Sequence, residues 1–340
     1  MTTMWGIHND ALGHELVDQG FISVGWDEIG DLRQLGDDRE RVKAALAAAY
    51  PEAKPGAIPV WGGILFRFAF EMAEGDTVVA PYKPDSTINL GIVAGPYEYH
   101  PEVEQHRHRR RVTWRKTGIP RAQFSQPALY EIGSALTLFK VAQHRDEFER
   151  YLASGSSERV SPSPTVPDEA LVQGATEAPN ADRIEQHTRD FVTQTLFADL
   201  SHREFEEFTA DLLKALGYQT RVTPYSNDGG IDVIAHRDPL GLEPPIIKVQ
   251  CKHTTRSHGR PDVQQLIGTL ASNEFGLFVT LGGYSKEARD LERERQNLRL
   301  FDGSDVTRLT LEHYGELPAR WRKVLPLRSV LVVDQDPAGG

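Results

Sequence analysis

Four side chains in the C-terminal half have the types and spacing needed to hydrolyse a phosphate ester around a bound divalent cation. Asp232 follows the glycine-rich Asp228-Gly229-Gly230, and Gln250 and Lys252 stand two residues apart in the apolar run Ile246–Lys252. Residues two apart on a strand project from one face, so the amide and the ammonium reach the same place. Cys251 between them projects to the other face as a core residue, while its backbone carbonyl, directed sideways, offers the ion another oxygen. Glu206 adds a second carboxylate from a helix. Oxygen ligands suit a hard cation, and a neighbouring lysine orients water or offsets charge developing on a phosphate. Two carboxylates and one neutral amide predict weak binding of a Mg²⁺ that keeps several waters, with Mn²⁺ as a substitute. Singly, each residue has another use: Asp232 as a turn cap, Lys252 as a solvated charge on an edge strand, Gln250 as partner to a backbone group. His253 is read as a strand-end histidine and left outside the site.

The elements that must carry these groups are legible in the surrounding pattern. Ser201 and Glu204 form an S-x-x-E capping box, and Phe205, Phe208, Leu212 and Leu216 make one helical stripe closed by Gly217. On that helix Glu206 borders the stripe beside Leu213, whereas Glu207 points nearly away from it. Strands are predicted at 218–223, 231–236 and 246–252, then a helix opening on Pro261 and running to 273, a strand at 275–281 and a charged helix at 285–297. A looser helix is predicted ahead of them at 182–200.

These pieces carry a resemblance. SHREFEEFTADLLKALGY, SNDGGIDVIAH and IIKVQCKH, in that order, resemble the Mrr-type branch of the PD-(D/E)xK nuclease superfamily, and PDVQQLIGTLASN, FGLFVTLGGYSKEA and LRLFDGSDV are similar to its following elements. The resemblance covers about residues 201–311. It implies an α/β (α+β) domain with an α-β-β-β-α-β core, Asp232 as main metal ligand, Gln250 in place of the usual acid, Lys252 as catalytic lysine and Glu206 as the first-helix glutamate. Q-x-K is a common form of the motif in this branch.

The whole chain of 340 residues has a net charge of −11, which argues against coating nucleic acid by bulk attraction. Basic charge is local: Arg107, Arg109, Arg110, Arg111, Arg115 and Lys116 in one run, and Lys252, Arg256 and Arg260 in another. Such runs are either solvated faces or phosphate contacts. A stretch rich in Ser, Pro and Ala, with SPSPTVP at its centre, divides the chain. The expected organisation is a first domain at 1–150, a linker at 151–181, the nuclease-like domain at 182–313 and an extension at 314–340, in which 329–333 suggest an edge strand. One cysteine, no apolar span long enough for a bilayer and no targeting pattern predict a cytoplasmic protein without disulfides and without a membrane.

Residues 3–141, with GDTVVAPY, a turn at Pro84-Asp85 and INLGIVAGPYEY, are similar to PUA-like domains, including EVE and YTH modules. That resemblance implies a small β-barrel with helices and a pocket that stacks one flipped, modified base between aromatic rings. Trp5, Trp26, Trp61 and Tyr82 are the candidate rings, each with a second reading as core. Asp85 either accepts a hydrogen bond from an exocyclic amine or stabilises its turn. Arg109, Arg110 and Arg111 would contact phosphates. Together the halves suggest a phage-defence restriction enzyme that cuts modified double-stranded DNA, as a dimer or larger assembly because one site cuts one strand. The alternatives are an effector nuclease whose first domain senses another signal or partner, and a catalytically silent DNA-binding protein.

Overall fold

The structure, a computed structural model, describes residues 2–8, 11–54, 56–82, 86–134, 136–154, 181–224, 230–238, 243 and 245–332. Asp85, most of the expected linker and the last eight residues lie outside this set. The described chain divides into two compact units: Met1–Ile119 with Pro127–Arg183, and Pro120–Gln126 with Ile184–Val332. Among the described residues no helix is long and apolar enough to cross a membrane.

In order, the first unit contains β1 (Met4–Ile7), α1 (Glu15–Gln19), β2 (Phe21–Val24), α2 (Arg39–Ala49), α3 (Ala57–Phe66), β3 (Thr77–Tyr82), β4 (Thr87–Tyr99), β5 (His108–Pro120), α4 (Gln126–Ile132), β6 (Leu138–Lys140) and α5 (Arg145–Ser154). Its strands form a six-stranded sheet in the order β2-β5-β4-β3-β1-β6, with β1 parallel to β3 and antiparallel to β6. Asp76 pins the start of β1: its buried carboxylate accepts the amides of Thr3 and Ala73 and the indole N–H of Trp5. Asp38 caps α2 by accepting the Glu40 and Arg41 amides. Helices α2 and α3 approach closely because Gly62 and Gly63 leave room for Lys43 and Arg39. Beyond Phe66 the helix widens into a π turn over Arg67–Glu71, which ends the helical segment. A π turn frees backbone carbonyls, and Arg110 takes those of Phe68 (2.6 Å) and Ala69 (3.0 Å) with its buried guanidinium.

The second unit contains most of α6 (Ala181–Ala198), then α7 (His202–Ala215), β7 (Gln219–Val222), β8 (Val233–His236), β9 (Ile246–Lys252), α8 (Arg260–Ile267), β10 (Glu274–Thr280), α9 (Lys286–Glu294), β11 (Leu298–Phe301), α10 (Gly303–Glu312) and α11 (Ala319–Val324). The expected α-β-β-β-α-β core is α7-β7-β8-β9-α8-β10. Its sheet runs β11-β10-β9-β8-β7, parallel on the β9-β10-β11 side and antiparallel on the other. The capping box predicted for α7 is present: Ser201 Oγ accepts the Glu204 amide and Glu204 reaches back to the Ser201 amide. Phe205, Phe208, Leu212 and Leu213 of α7 pack on Val233, Ala235, Val249 and Cys251, joined by Val192 and Leu196 of α6. Each fully buried phenylalanine there contributes roughly 2–3 kcal/mol. On the opposite face Val263, Leu266, Ala288 and Leu291 cover Phe278, Leu298 and Leu300.

The segment after α10 belongs to this core. Trp321 packs edge-on to Phe208, its indole N–H donates to Asp211 (2.9 Å), and Arg320 donates to Asp211 and Glu207. The edge strand expected from residue 329 is a correction: 329–332 form no strand, and Val330 and Leu331 are exposed. Among the described residues they pair with no sheet edge.

Candidate functional site

Helix α7 presents Glu206 to the interior, where it is 5% exposed. One turn earlier, Arg203 donates from Nη1 to Glu206 Oε2 (2.8 Å) and to the Thr223 carbonyl (2.9 Å). Thr223 in turn donates its amide to the Asp232 carbonyl and its hydroxyl to the Ile231 carbonyl. Arg203 therefore ties the helix carboxylate to the chain segment that carries Asp232. Sequence reasoning missed it, although its spacing of three from Glu206 on a capped helix was a usable signal.

Asp232 sits at the entry to β8. Its amide donates to the Val249 carbonyl, and its Oδ2 accepts the Cys251 amide at 2.7 Å, so β9 itself orients the carboxylate. Burial pushes the carboxyl up to about 6; the Cys251 amide opposes this, Glu206 adds to it, and Lys252 and His202 draw it down. A carboxylate raised by burial and by a second carboxylate is a group waiting for a cation. Gln250 is 3% exposed, and its buried Oε1 has no hydrogen-bond partner among the described residues. An orphaned buried carbonyl oxygen costs about 1–3 kcal/mol unless something else meets it. Gly230, with φ +82°, leaves space beside it: a Cβ there would stand 2.9 Å from Gln250 Nε2.

The structure thus brings Glu206, Asp232, Gln250 and Lys252 to one end of the sheet, with the Cys251 thiol turned into the core and its pKa raised by burial. Among the described residues no group of three or more His, Cys, Asp or Glu side chains could hold a metal; the third side-chain donor is the Gln250 amide oxygen. Two carboxylates and an orphaned amide oxygen are hard donors that fit Mg²⁺. His253 is packed among Phe197, Phe205 and His202 and hydrogen-bonds the Leu196 carbonyl through Nε2; burial lowers its pKa. His258, fully buried, holds Asp262 at Nδ1 (2.8 Å) and the Thr254 hydroxyl at Nε2 (3.0 Å), bracing the loop after Lys252.

In the first unit two candidates are corrected. Trp5 is 1% exposed, with its indole N–H committed to Asp76, so it is core and no stacking platform. Arg110 is buried and spends its donors on the Phe68, Ala69 and Gly95 carbonyls; burial lowers its pKa to about 10. The alternation of β5 explains the difference from its neighbours. Arg111 lies on the exposed face and pairs with Glu98 (3.1 Å), and Arg109 lies over the Phe21 ring. Trp26 and Trp61 are brought together, ring centroids 5.8 Å apart, with Tyr50 edge-on to Trp61. Trp26 has a left-handed φ of +66°, and Asp27 next to it accepts the His106 and Arg107 amides. Tyr82 stands apart from these rings, against His14.

Comparison with known proteins places these units. Residues 197–310 match a family described as restriction endonuclease (Mrr_cat), and residues 3–133 match a domain of unknown function (DUF8426). The type IV methyl-directed restriction enzyme EcoKMrr of Escherichia coli (strain K12) is 32% identical over 156 residues, which are 42% of this chain and 51% of that protein. The chain thus spans about half the length of that relative. Two solved structures are weakly similar. One is the DNA modification-dependent restriction endonuclease AspBHI, at 15% identity and TM-score 0.33, over 79% of this chain and 72% of that one. The other is the MspJI restriction endonuclease in complex with a 27-mer oligonucleotide, at 13% identity and TM-score 0.33, over 98% and 73%. At such scores the likeness bears on neither activity nor substrate.

Proposed function

We propose that this protein, whose residues 197–310 match a restriction endonuclease family, is a Mg²⁺-dependent endodeoxyribonuclease of type IV character, directed to methylated or hydroxymethylated duplex DNA by its N-terminal unit. The observation that carries the catalytic part is the buried Oε1 of Gln250, without a hydrogen-bond partner among the described residues, in a site where burial raises the Asp232 carboxyl. Asp232, Glu206, Gln250 and the Cys251 carbonyl would hold the ion, which when bound supplies Lewis-acid polarisation and a lowered pKa for water. The chain's own groups do the rest. The Cys251 amide and Arg203 hold the two carboxylates in place, and the Lys252 ammonium orients the attacking water and offsets charge developing on the phosphate.

For the N-terminal unit, Trp26 and Trp61 are the rings proposed to stack on a base, and Arg109 and Arg111 the phosphate contacts. Support comes from the name of the E. coli relative, a methyl-directed enzyme. A double-strand cut by single active sites calls for two protomers, so a homodimer on DNA is part of the reading.

The test is cleavage of matched unmodified, 5-methylcytosine and 5-hydroxymethylcytosine duplexes in Mg²⁺, with Lys252→Ala beside the wild type. The expected result is cutting of modified duplexes alone and a loss of at least about 100-fold in the variant. Equal cutting of every duplex would remove the modified-base reader from the proposal, and full activity in Lys252→Ala would remove the catalytic site.

A further inference from the structure

One part of the nuclease unit comes from far away in the sequence. Pro120–Gln126 continues directly from β5, yet it belongs to the compact unit formed by residues 184–332. Arg121 and Asp190 of α6 form a two-pronged ion pair, Nε to Oδ1 at 2.7 Å and Nη2 to Oδ2 at 2.6 Å, with side chains only 9% and 3% exposed. Gln194 of α6 donates to the Phe124 carbonyl at 2.6 Å. Gln123 donates from Nε2 to the Thr255 carbonyl and, at 2.8 Å, to the Thr255 hydroxyl.

The two kinds of contact do different things. A buried, bidentate ion pair is a modest source of net stability, because desolvation offsets much of its attraction, but its geometry admits one register. Arg121 thus fixes where the strap lies along α6. Gln123 then reaches the loop that leads away from Lys252. That loop is braced on its other sides: Thr254 donates its amide back to the Lys252 carbonyl (2.8 Å), Thr280 donates to the Thr254 carbonyl (3.1 Å), and His258 holds the Thr254 hydroxyl. Gly282 packs so closely under Arg256 that a Cβ would overlap its carbonyl oxygen. Gln123 takes both side-chain and backbone oxygens of the one residue, Thr255, that lies between these braces.

We infer that Gln123 is a positioning residue of the nuclease: it fixes the loop after Lys252, and the Arg121–Asp190 pair keeps it in register. The role in catalysis rests on Lys252 being the catalytic lysine proposed above. The nuclease unit is then incomplete without residues 120–126, which share Pro120 with the strand carrying Arg109 and Arg111.

The experiment compares wild type, Gln123→Ala and Gln123→Glu as full-length chains. It measures amide hydrogen exchange at 253–258, the single-turnover cleavage rate on a duplex the wild type cuts, and the Kd for that duplex in Ca²⁺. Gln123→Ala should speed exchange at 254–257 and slow cleavage about tenfold, the size of one or two lost hydrogen bonds, with Kd within about twofold. Gln123→Glu, equal in shape but unable to donate, should be at least as slow. Unchanged exchange overturns the proposal; so does faster exchange with an unchanged cleavage rate, or a rate loss accounted for by Kd. Lys252→Ala run alongside keeps the two readings apart: wild-type cutting by that variant sinks the active-site assignment, and the exchange data then decide alone whether Gln123 holds the loop.

Discussion

Asp232→Asn should make the metal-free protein more stable at pH 8, although it removes the proposed main metal ligand. Burial and Glu206 raise the Asp232 carboxyl from an ordinary 3.8 to about 6. A group raised in the folded state binds more protons there than in the unfolded chain between about pH 4 and 6, so stability falls as pH rises through that window and the deficit persists above it. Two pKa units at about 1.4 kcal/mol each set a ceiling near 3 kcal/mol. The carboxylate retains some access to water, and screening reduces the expected effect to about 1–2 kcal/mol. Asparagine keeps the shape and an oxygen for the Cys251 amide while losing the charge. Urea unfolding in EDTA between pH 4.5 and 8 reads the difference: the variant should lead at pH 8 and the gap should close toward pH 4.5. Added Mg²⁺ should reverse the order by binding only the wild type. A variant less stable at pH 8, or a gap that does not change with pH, would refute the claim that Asp232 is held at an electrostatic cost.

Two further outcomes follow from the geometry. Gly230→Ala places a Cβ at φ +82° and against Gln250 Nε2, so it should cost about 1–2 kcal/mol and, by moving the amide, slow cleavage roughly tenfold; thermal melts and single-turnover assays check both, and undiminished cleavage would detach Gln250 from the site. Arg110→Ala strips three buried carbonyls of their donor and should destabilise the first unit by about 2–4 kcal/mol, whereas Arg111→Ala should leave stability within about 0.5 kcal/mol and lower the salt slope of DNA binding by about one. Equal effects of the two in a melt would contradict the alternation of β5.

What was legible in the sequence was what depends on near neighbours. The Ser201-Glu204 cap, the stripe of α7 and the apolar run of β9 are local patterns, and β9 spans Ile246–Lys252 as expected. Helix α8 ends at Ile267 rather than 273 because the chain turns at Gly268, and Leu266 and Leu270 pack close over Gly276 within β10. Arg110 was misread with its neighbours because a run of arginines hides the alternation visible in His108, Arg110, Val112 and Trp114; what makes its burial tolerable is a π turn some forty residues earlier. Arg121–Asp190 and Gln123–Thr255 join positions 69 and 132 residues apart, and no local periodicity announces such partners.

The docking of Trp321 and Arg320 on α7 bears on how such proteins are inherited. The family match ends at residue 310, but Asp211 on α7 receives both Trp321 and Arg320 from beyond that border, and Leu317, Trp321 and Leu325 complete the apolar layer over Phe208. A gene exchange that moved only the matched segment would deliver a helix with an uncovered aromatic face and a carboxylate stripped of its donors. The heritable cassette is therefore longer than the recognisable one, and α11 must travel with the matched segment or be replaced by something of the same shape.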